Sequence, residues 1–165
     1  MKISIVVPAF NEERLLPASL QSITAASVAF ADAGWASELI VCDNNSTDRT
    51  AAIAAAAGAR VVFEPVNQIS RARNAGAAAA TGEWLLFIDA DSYPTRELFA
   101  DVVTAISGSR CVAGGSTVRV ELKGIQYDAG VGGWNRISRS SWPMSATPRL
   151  RSSRPGFHPA RRRRR

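Results

Sequence analysis

Short apolar runs alternate with longer segments of helical periodicity over the first 120 residues of the chain. The apolar runs predict four strands, at residues 3–7, 38–42, 60–63 and 84–88. Apolar positions that recur every three or four residues predict helices at residues 16–30, 51–57, 71–80 and 97–106. One or two more strands are expected within residues 111–122. Because strands and helices alternate with short connections, the sequence predicts an α/β fold, a Rossmann-like, mostly parallel sheet flanked by helices.

Polar clusters follow three of the four predicted strands. They are Asn11-Glu12-Glu13 after the first strand, Asp43-Asn44-Asn45 after the second and Asp89-Ala90-Asp91 after the fourth. The carboxyl ends of parallel strands meet at one edge of a sheet, and ligands of open α/β folds bind there. We therefore expect a binding site along that edge.

Asp89 and Asp91 place two carboxylates directly after a buried strand. Carboxylate oxygens suit Mg²⁺ or Mn²⁺, which complete their coordination with water and with phosphate oxygens of a substrate. The alternative is that Asp91 caps the helix expected to start near Pro94. The residues by themselves leave both interpretations open.

Asp43 also has two interpretations. Its carboxylate can accept hydrogen bonds from a base N–H or a ribose hydroxyl, or it can stabilise a turn in the segment DNNSTD. In the same segment, Ser46 or Thr47 is expected to cap the next helix, with Asp48 as a favourable charge in its first turn.

Two arginines precede Asn74 at the expected start of the Ala-rich helix over residues 71–80. Arg71 and Arg73 can contact a diphosphate or a base at a helix N-terminus. The alternative is that both are solvated surface charges.

The net charge of +6 is distributed unevenly along the chain. Residues 1–139 hold 12 basic and all 14 acidic side chains, whereas residues 140–165 hold eight arginines and no acid. We therefore expect a folded domain over 1–139 and a disordered Arg/Pro/Ser-rich tail over 140–165. Such a tail is expected to bind nucleic acid only without specificity, through phosphate contacts.

Several classes of protein are excluded by what the sequence lacks. It has no GxxxxGK[ST] segment, and the turn PAFNEE after the first strand has no glycines of a dinucleotide fold. The single histidine, His158, lies in the tail, so no Ser-His-Asp arrangement is expected. Cys42 is expected to be a reduced core thiol. No apolar run is long enough for a membrane helix, so a cytoplasmic location is expected, at most peripheral to the cytoplasmic face of a membrane.

Three segments in this order and spacing resemble the family-two glycosyltransferases: IVVPAFNEE, LIVCDNNSTDRT and ARNAGAAAATGEWLLFIDADS. The resemblance covers about residues 3–120. It implies the glycosyltransferase A fold, which binds a nucleotide-diphosphate sugar, here expected to be a UDP-sugar, with Mn²⁺ or Mg²⁺.

The resemblance also implies roles for individual residues. The first nucleotide-contacting segment matches Pro8, Ala9, Asn11 and Glu12. The acid that reads the base, commonly uracil, matches Asp43.

The remaining matched positions lie in the third segment. Arg73 and Asn74 match the family's Ala-Arg-Asn sequence, which places Arg71 or Arg73 near the base or diphosphate. The family's Asp-x-Asp matches Asp89, Ala90 and Asp91, with Asp91 the expected direct metal ligand and Asp89 nearer the ribose and sugar.

The implied reaction is displacement at the anomeric carbon with inversion, and a carboxylate in a later region deprotonates the acceptor. The family's acceptor-binding pattern is not evident after Gly130–Ser138, and Glu121 and Asp128 have no matching context. The chain is therefore expected to be truncated or frameshifted near residue 140. The acceptor stays open between a saccharide, a polyprenol phosphate and a lipid. The alternative function is a module that binds the nucleotide sugar without transferring it.

Overall fold

The computed structural model describes residues 1–108 and 113–115. Its elements, in chain order, are β1 (Lys2–Ala9), α1 (Leu16–Ala26), α2 (Val28–Asp32), β2 (Ala36–Asp43), α3 (Thr50–Ala56), β3 (Arg60–Phe63), α4 (Ile69–Ala79), β4 (Trp84–Phe87) and α5 (Arg96–Ser107). The strands form one four-stranded sheet in the order β3-β2-β1-β4, and every neighbouring pair is parallel. The predicted α/β class is confirmed.

The chain divides into two compact units. Residues 1–100, which include the whole sheet, belong to the first unit, and residues 101–108 and 113–115 belong to the second. The strands predicted within 111–122, the boundary predicted at residue 139 and the predicted tail lie outside the described residues, as do Glu121 and Asp128.

Strand β1 is the centre of the sheet. It pairs with β2 along its full length, from Lys2 opposite Ala36 to Ala9 opposite Asp43. Every β1 residue from Ile3 onward is buried. This burial explains why the segment is almost entirely apolar, since helices cover both faces of a parallel sheet.

Helix α4 lies unusually close to the sheet. A Cβ atom on Gly76 would stand only 2.4 Å from Cγ1 of Val6 in β1, and Ala72 one turn earlier is fully buried. Small residues on this face allow the close approach, because any longer side chain would separate the helix from the strand. Arg73, the residue after Ala72, contacts Asp89 at the carboxyl edge of the sheet.

The single helix predicted over 16–30 and the predicted cap of α3 are both wrong. The single helix expected over 16–30 is divided at Ser27, whose hydroxyl donates to the carbonyl of Ile23 at 2.7 Å. Ser and Thr that bond back to the preceding turn commonly bend a helix. Helix α3 begins at Thr50 with Arg49 as its N-cap residue, so neither Ser46 nor Thr47 caps it. The carboxylate of Asp48 instead accepts from the Thr50 amide at 2.9 Å.

The amino end of the sheet holds a polar cluster that we call the basal clasp. The carboxylate of Glu38 accepts hydrogen bonds from the hydroxyl of buried Ser4 at 2.5 Å and from the amide and hydroxyl of Thr81 at 2.7 and 2.8 Å. Lys2 Nζ lies 3.1 Å from the same carboxylate, and the Gly82 amide donates to the Ser4 hydroxyl at 2.8 Å. The clasp therefore links β1, β2 and the loop that leads into β4.

Candidate functional site

Three loops come together at the carboxyl edge of the sheet. Ala9 ends β1 and Asp43 ends β2 directly beside it, and the amide of Asn44 donates to the Ala9 carbonyl at 2.8 Å. On the other side of β1, the Ile88 amide donates to the carbonyl of Val6 at 3.1 Å. This hydrogen bond places Asp89, the next residue after Ile88, beside the end of β1. The predicted polar clusters therefore lie next to one another. Pro8 and Ala9 are buried beneath them.

The loop after β2 is held by its own side chains. Asp43 is 5% exposed, and its Oδ1 accepts from the Ser46 amide at 3.1 Å. Asn44 is buried and donates from Nδ2 to the carbonyl of Val66 at 2.6 Å and of Glu64 at 3.3 Å. Asp43 thus stabilises the turn, as one of its two predicted roles requires, and the turn holds its carboxylate at the sheet edge.

The loop after β1 is hydrogen-bonded to the loop after β2, and we call this set of contacts the loop interlock, formed by Asn11–Glu13 and Ser46–Thr50. Asn11 has a positive φ of 53°, which asparagine tolerates better than most residues. Its Oδ1 accepts from the Thr47 amide at 2.8 Å, and its own amide donates to the Ser46 hydroxyl at 3.0 Å. The amide of Glu12 donates to Thr50 Oγ1 at 2.8 Å. The serine and threonine expected as helix caps serve this interlock instead.

The loop after β4 presents two exposed carboxylates. Asp89 and Asp91 are both exposed, and Ala90 between them is buried. Helix α5 starts only at Arg96, and the Leu98 amide in its first turn donates to the Thr95 hydroxyl at 3.3 Å. Asp91 is therefore not the cap of this helix, and that alternative is wrong.

Arg73 is paired with the first aspartate of this loop. Its Nη2 lies 2.6 Å from Asp89 Oδ1. The Nε atom of Arg73 is buried and has no hydrogen-bond partner within the described part of the chain. Within the described part of the chain Asp89 is therefore ion-paired and Asp91 is not, although both carboxylates are exposed.

Arg71 is paired as well, with the buried residue Glu64, which was not among the predicted site residues. Helix α4 begins at Ile69, two residues before the predicted start, after Gln68 in an extended conformation. Arg71 Nε donates to Glu64 Oε1 at 3.0 Å, and the amide of Val66 donates to the same oxygen. These hydrogen bonds, the one from Val66 first, lower the pKa of Glu64.

Both arginines are therefore ion-paired, although their side chains stay partly exposed to solvent, so the predicted diphosphate or base contact stays a prediction. Glu64 directly follows the third strand, so it lies at the same edge of the sheet as the predicted clusters. That position in the sequence could have identified it as a site residue. Asn74 lies exposed on α4, three residues after Arg71.

Acidic side chains crowd the site. Partial burial, followed by the charges of Asp91 and Asp48, raises the pKa of Glu12. Like charges held close together make a favourable position for a cation.

The carboxylates fit a divalent ion that also binds a substrate. No group of three His, Cys, Asp or Glu side chains within residues 1–108 and 113–115 could enclose a metal by itself. Mg²⁺ and similar ions usually take one or two carboxylates and complete their coordination with water and substrate phosphates. Exposed Asp91, with Glu12 close by, supplies a donor set of that kind.

Within the described residues, no helix is long and apolar enough to span a bilayer.

The sequence profile of the family described as "Glycosyl transferase family 2" matches residues 4–156. A parallel sheet with acidic loops at its carboxyl edge is the arrangement expected of this class. The chain belongs to glycosyl transferase family 2 and has the glycosyltransferase A fold. The match extends past the boundary predicted at residue 139, which stays a prediction.

Curated relatives are similar over the first part of the chain. An uncharacterized glycosyltransferase of Mycobacterium tuberculosis is 44% identical over 89 residues, which are 54% of this chain and 36% of the relative. The glucosyl-3-phosphoglycerate synthase of the same organism is 37% identical over 105 residues, which are 59% of this chain and 31% of the relative. This chain therefore spans about a third of the length of these relatives.

Solved structures of bound glycosyltransferases are also similar. S. aureus TarS 1-349 in complex with UDP-GlcNAc has a TM-score of 0.58 and 27% identity, with 74% of this chain and 37% of that chain covered. The M. tuberculosis glucosyl-3-phosphoglycerate synthase in complex with Mn²⁺, UDP and glucosyl-3-phosphoglycerate has a TM-score of 0.50 and 37% identity, with 65% and 38% covered.

Proposed function

We propose that the carboxyl edge of the sheet binds a UDP-sugar with a divalent cation and is the donor half of an inverting glycosyl transfer. The observation that carries the proposal is the ion pair of Arg73 with Asp89, because Asp91 is exposed and has no such partner within the described residues. The negative charge of Asp91 also acts on Glu12, whose pKa it helps to raise. Two structurally similar glycosyltransferases are bound to UDP-GlcNAc and to Mn²⁺ with UDP, which supports the same ligands here.

The nucleoside is assigned to the side of the site formed by β1 and β2. Pro8 and Ala9 provide a buried floor, and Asn11 is held on top of it by the loop interlock. Asp43 is assigned to the base or ribose, because its turn holds the carboxylate in place and it can accept a base N–H or a hydroxyl proton.

The diphosphate and sugar are assigned to the side formed by β4 and α4. Asp91, assisted by Glu12, would hold Mn²⁺ or Mg²⁺. The ion supplies positive charge that stabilises the leaving diphosphate. Arg73 orients Asp89 toward the ribose and sugar, and Arg71 adds positive charge at the start of α4 near Asn74.

The acceptor side completes the proposal. A carboxylate that deprotonates the acceptor hydroxyl belongs to a region beyond the residues described here. The acceptor is a saccharide, a polyprenol phosphate or a lipid. The proposal includes a cytoplasmic location, with at most peripheral contact to a membrane, and this part rests on the sequence alone.

Calorimetric titration tests the donor site. UDP and GDP are titrated into the protein with and without Mn²⁺, and the titrations are repeated on Asp91→Asn. We expect UDP binding that depends on Mn²⁺ and that weakens at least about 100-fold in the variant, because an amide is a poor ligand for a hard cation.

Asp32→Asn is the matched control, since Asp32 is another exposed aspartate but pairs with Arg96 away from the site. Its UDP affinity should equal that of the wild-type protein. Folded wild-type protein that binds no UDP, or an Asp91 variant that binds as well as the wild type, would contradict the proposal. Release of sugar from UDP-sugar by the wild type, measured in parallel, separates a transferase from a module that only binds.

A further inference from the structure

Thr50 occupies a central position in the loop interlock. Its side chain is fully buried at the first residue of α3. Oγ1 accepts from the amide of Glu12 at 2.8 Å and lies 2.5 Å from Oδ1 of Asp48. A hydroxyl has one proton to donate, and since the carboxylate can only accept, that proton is directed at Asp48.

Asp48 holds the next residue of the same loop. Its Oδ2 accepts from the amide of Glu13 at 3.1 Å, while its Oδ1 also accepts from the Thr50 amide. Thr50 and Asp48 therefore bind two consecutive backbone N–H groups of the loop after β1. The two amides belong to Glu12 and Glu13. The carbonyl of Glu12 accepts from the amide of Leu16, the first residue of α1, at 2.9 Å.

The loop after β1 needs such support because of its backbone conformation. Asn11 is held at a positive φ, which costs free energy for a residue with a side chain. Without hydrogen bonds from the neighbouring loop, this strain would favour a conformation in which Glu12 moves away from the site.

We propose that Thr50 and Asp48 are a positioning pair that holds residues 11–13 in the nucleotide-binding conformation before the ligand arrives. The inference rests on the proposed donor site and goes beyond it, because neither residue is among those assigned to the nucleotide. A loop ordered in advance loses less conformational entropy on binding, so the pair increases affinity without a contact of its own.

Hydrogen exchange and UDP titration test the pair together. Exchange of the Glu12 amide is followed by NMR in the free protein, and UDP is titrated with Mn²⁺ into the same samples. In Thr50→Val, which keeps the shape but loses the hydroxyl, we expect Glu12 to exchange at least about tenfold faster. UDP affinity should fall about 10- to 100-fold, the range seen when partners that orient ligating side chains are removed.

Three further variants complete the experiment. Thr50→Ser restores the hydroxyl and should restore both the protection of Glu12 and the UDP affinity. Asp48→Ala, at a partly exposed position, should speed exchange of the Glu13 amide and weaken UDP binding in the same direction. Thr24→Val is the matched control, because the Thr24 hydroxyl donates only within α1, to the Leu20 carbonyl at 2.8 Å, and should change neither quantity.

The outcomes separate this inference from the proposed function. Unchanged UDP affinity in folded Thr50→Val and Asp48→Ala, even with lower melting temperatures, shows a purely structural role and overturns the inference. Unchanged exchange of the Glu12 amide in Thr50→Val overturns it as well. Wild-type protein that binds no UDP refutes the donor site itself, whatever the exchange rates show.

Discussion

The two ends of the sheet use the same kinds of side chain in opposite ways. At the amino end, the single carboxylate of Glu38 is surrounded by donors in the basal clasp. Burial by itself would raise the pKa of Glu38, but the hydrogen bonds from Ser4, Thr81 and Lys2 outweigh it and lower the pKa to about 2. The negative charge of Glu38 is thus stabilised by hydrogen bonds and an ion pair within the protein.

At the carboxyl end, Glu64 and Asp48 accept hydrogen bonds that lower their pKa values, whereas the pKa of Glu12 is raised. Burial and the neighbouring charges of Asp91 and Asp48 raise the pKa of Glu12, and Asp91 is exposed. Such an arrangement costs stability and is typical of sites that bind a charged ligand. The amino end therefore stabilises the fold, whereas Glu12 at the carboxyl end keeps an unfavourable charge that the proposed cation would relieve.

Glu38→Gln should give the largest loss of stability among the substitutions that test this comparison. The shift of the Glu38 pKa from 4.5 to about 2 corresponds to at most about 3 kcal/mol at neutral pH. This contribution is complete above pH 4.5 and is lost as the pH falls toward 2, so the difference between wild type and variant should shrink over that window. Urea unfolding measured from pH 7 to pH 2.5 checks it.

The exposed pair of Asp32 and Arg96 provides the control for this measurement. Asp32→Asn should cost less than about 1 kcal/mol at every pH, because solvent screens exposed ion pairs. A Glu38→Gln variant that is as stable as the wild type at pH 7 would contradict the stabilising role of the amino end. Weakened UDP binding in this variant would show that the amino end also affects the proposed site.

Gly82→Ala should have the next largest effect, about 2 kcal/mol, by crowding the basal clasp. A Cβ atom on Gly82 would meet the Ser4 hydroxyl at 2.6 Å and its amide nitrogen at 2.7 Å, so the backbone must move. Thermal unfolding compared with Gly114→Ala measures the effect, since a Cβ on Gly114 meets nothing within 4 Å among the described residues. Equal melting temperatures for the two variants would show that the clasp is not tightly packed.

Glu12→Gln should change stability least, within about 0.5 kcal/mol at pH 7, and any change should be a gain. Because the folded protein raises the pKa of Glu12, the charged form opposes folding. Wild-type stability relative to the variant should therefore rise as the pH falls through that raised pKa. The same variant should bind UDP with Mn²⁺ about tenfold more weakly. A clear loss of stability without loss of UDP binding would show that Glu12 stabilises the fold and does not serve the proposed site.

Much of the fold could be predicted from local patterns. The apolar run from Ile3 to Val7 indicated a buried strand because a central parallel strand is covered on both faces. The positions of Glu12, Asp43 and Asp91 at one edge followed from the topology, since parallel strands end on the same side of the sheet. Local patterns were less informative at the ends of helices, where Ser27 and Asp48 act through hydrogen bonds that periodicity does not reveal.

Periodicity and motif spacing along the chain were enough to predict the parallel sheet and the membership in glycosyl transferase family 2. They did not predict which hydrogen-bond donor contacts which carboxylate. Arg73 reaches Asp89 across 16 residues, Thr50 reaches Glu12 across 38 and Thr81 reaches Glu38 across 43. A hydrogen bond requires its two atoms within about 3 Å, and that proximity is set by packing between elements that no local pattern encodes.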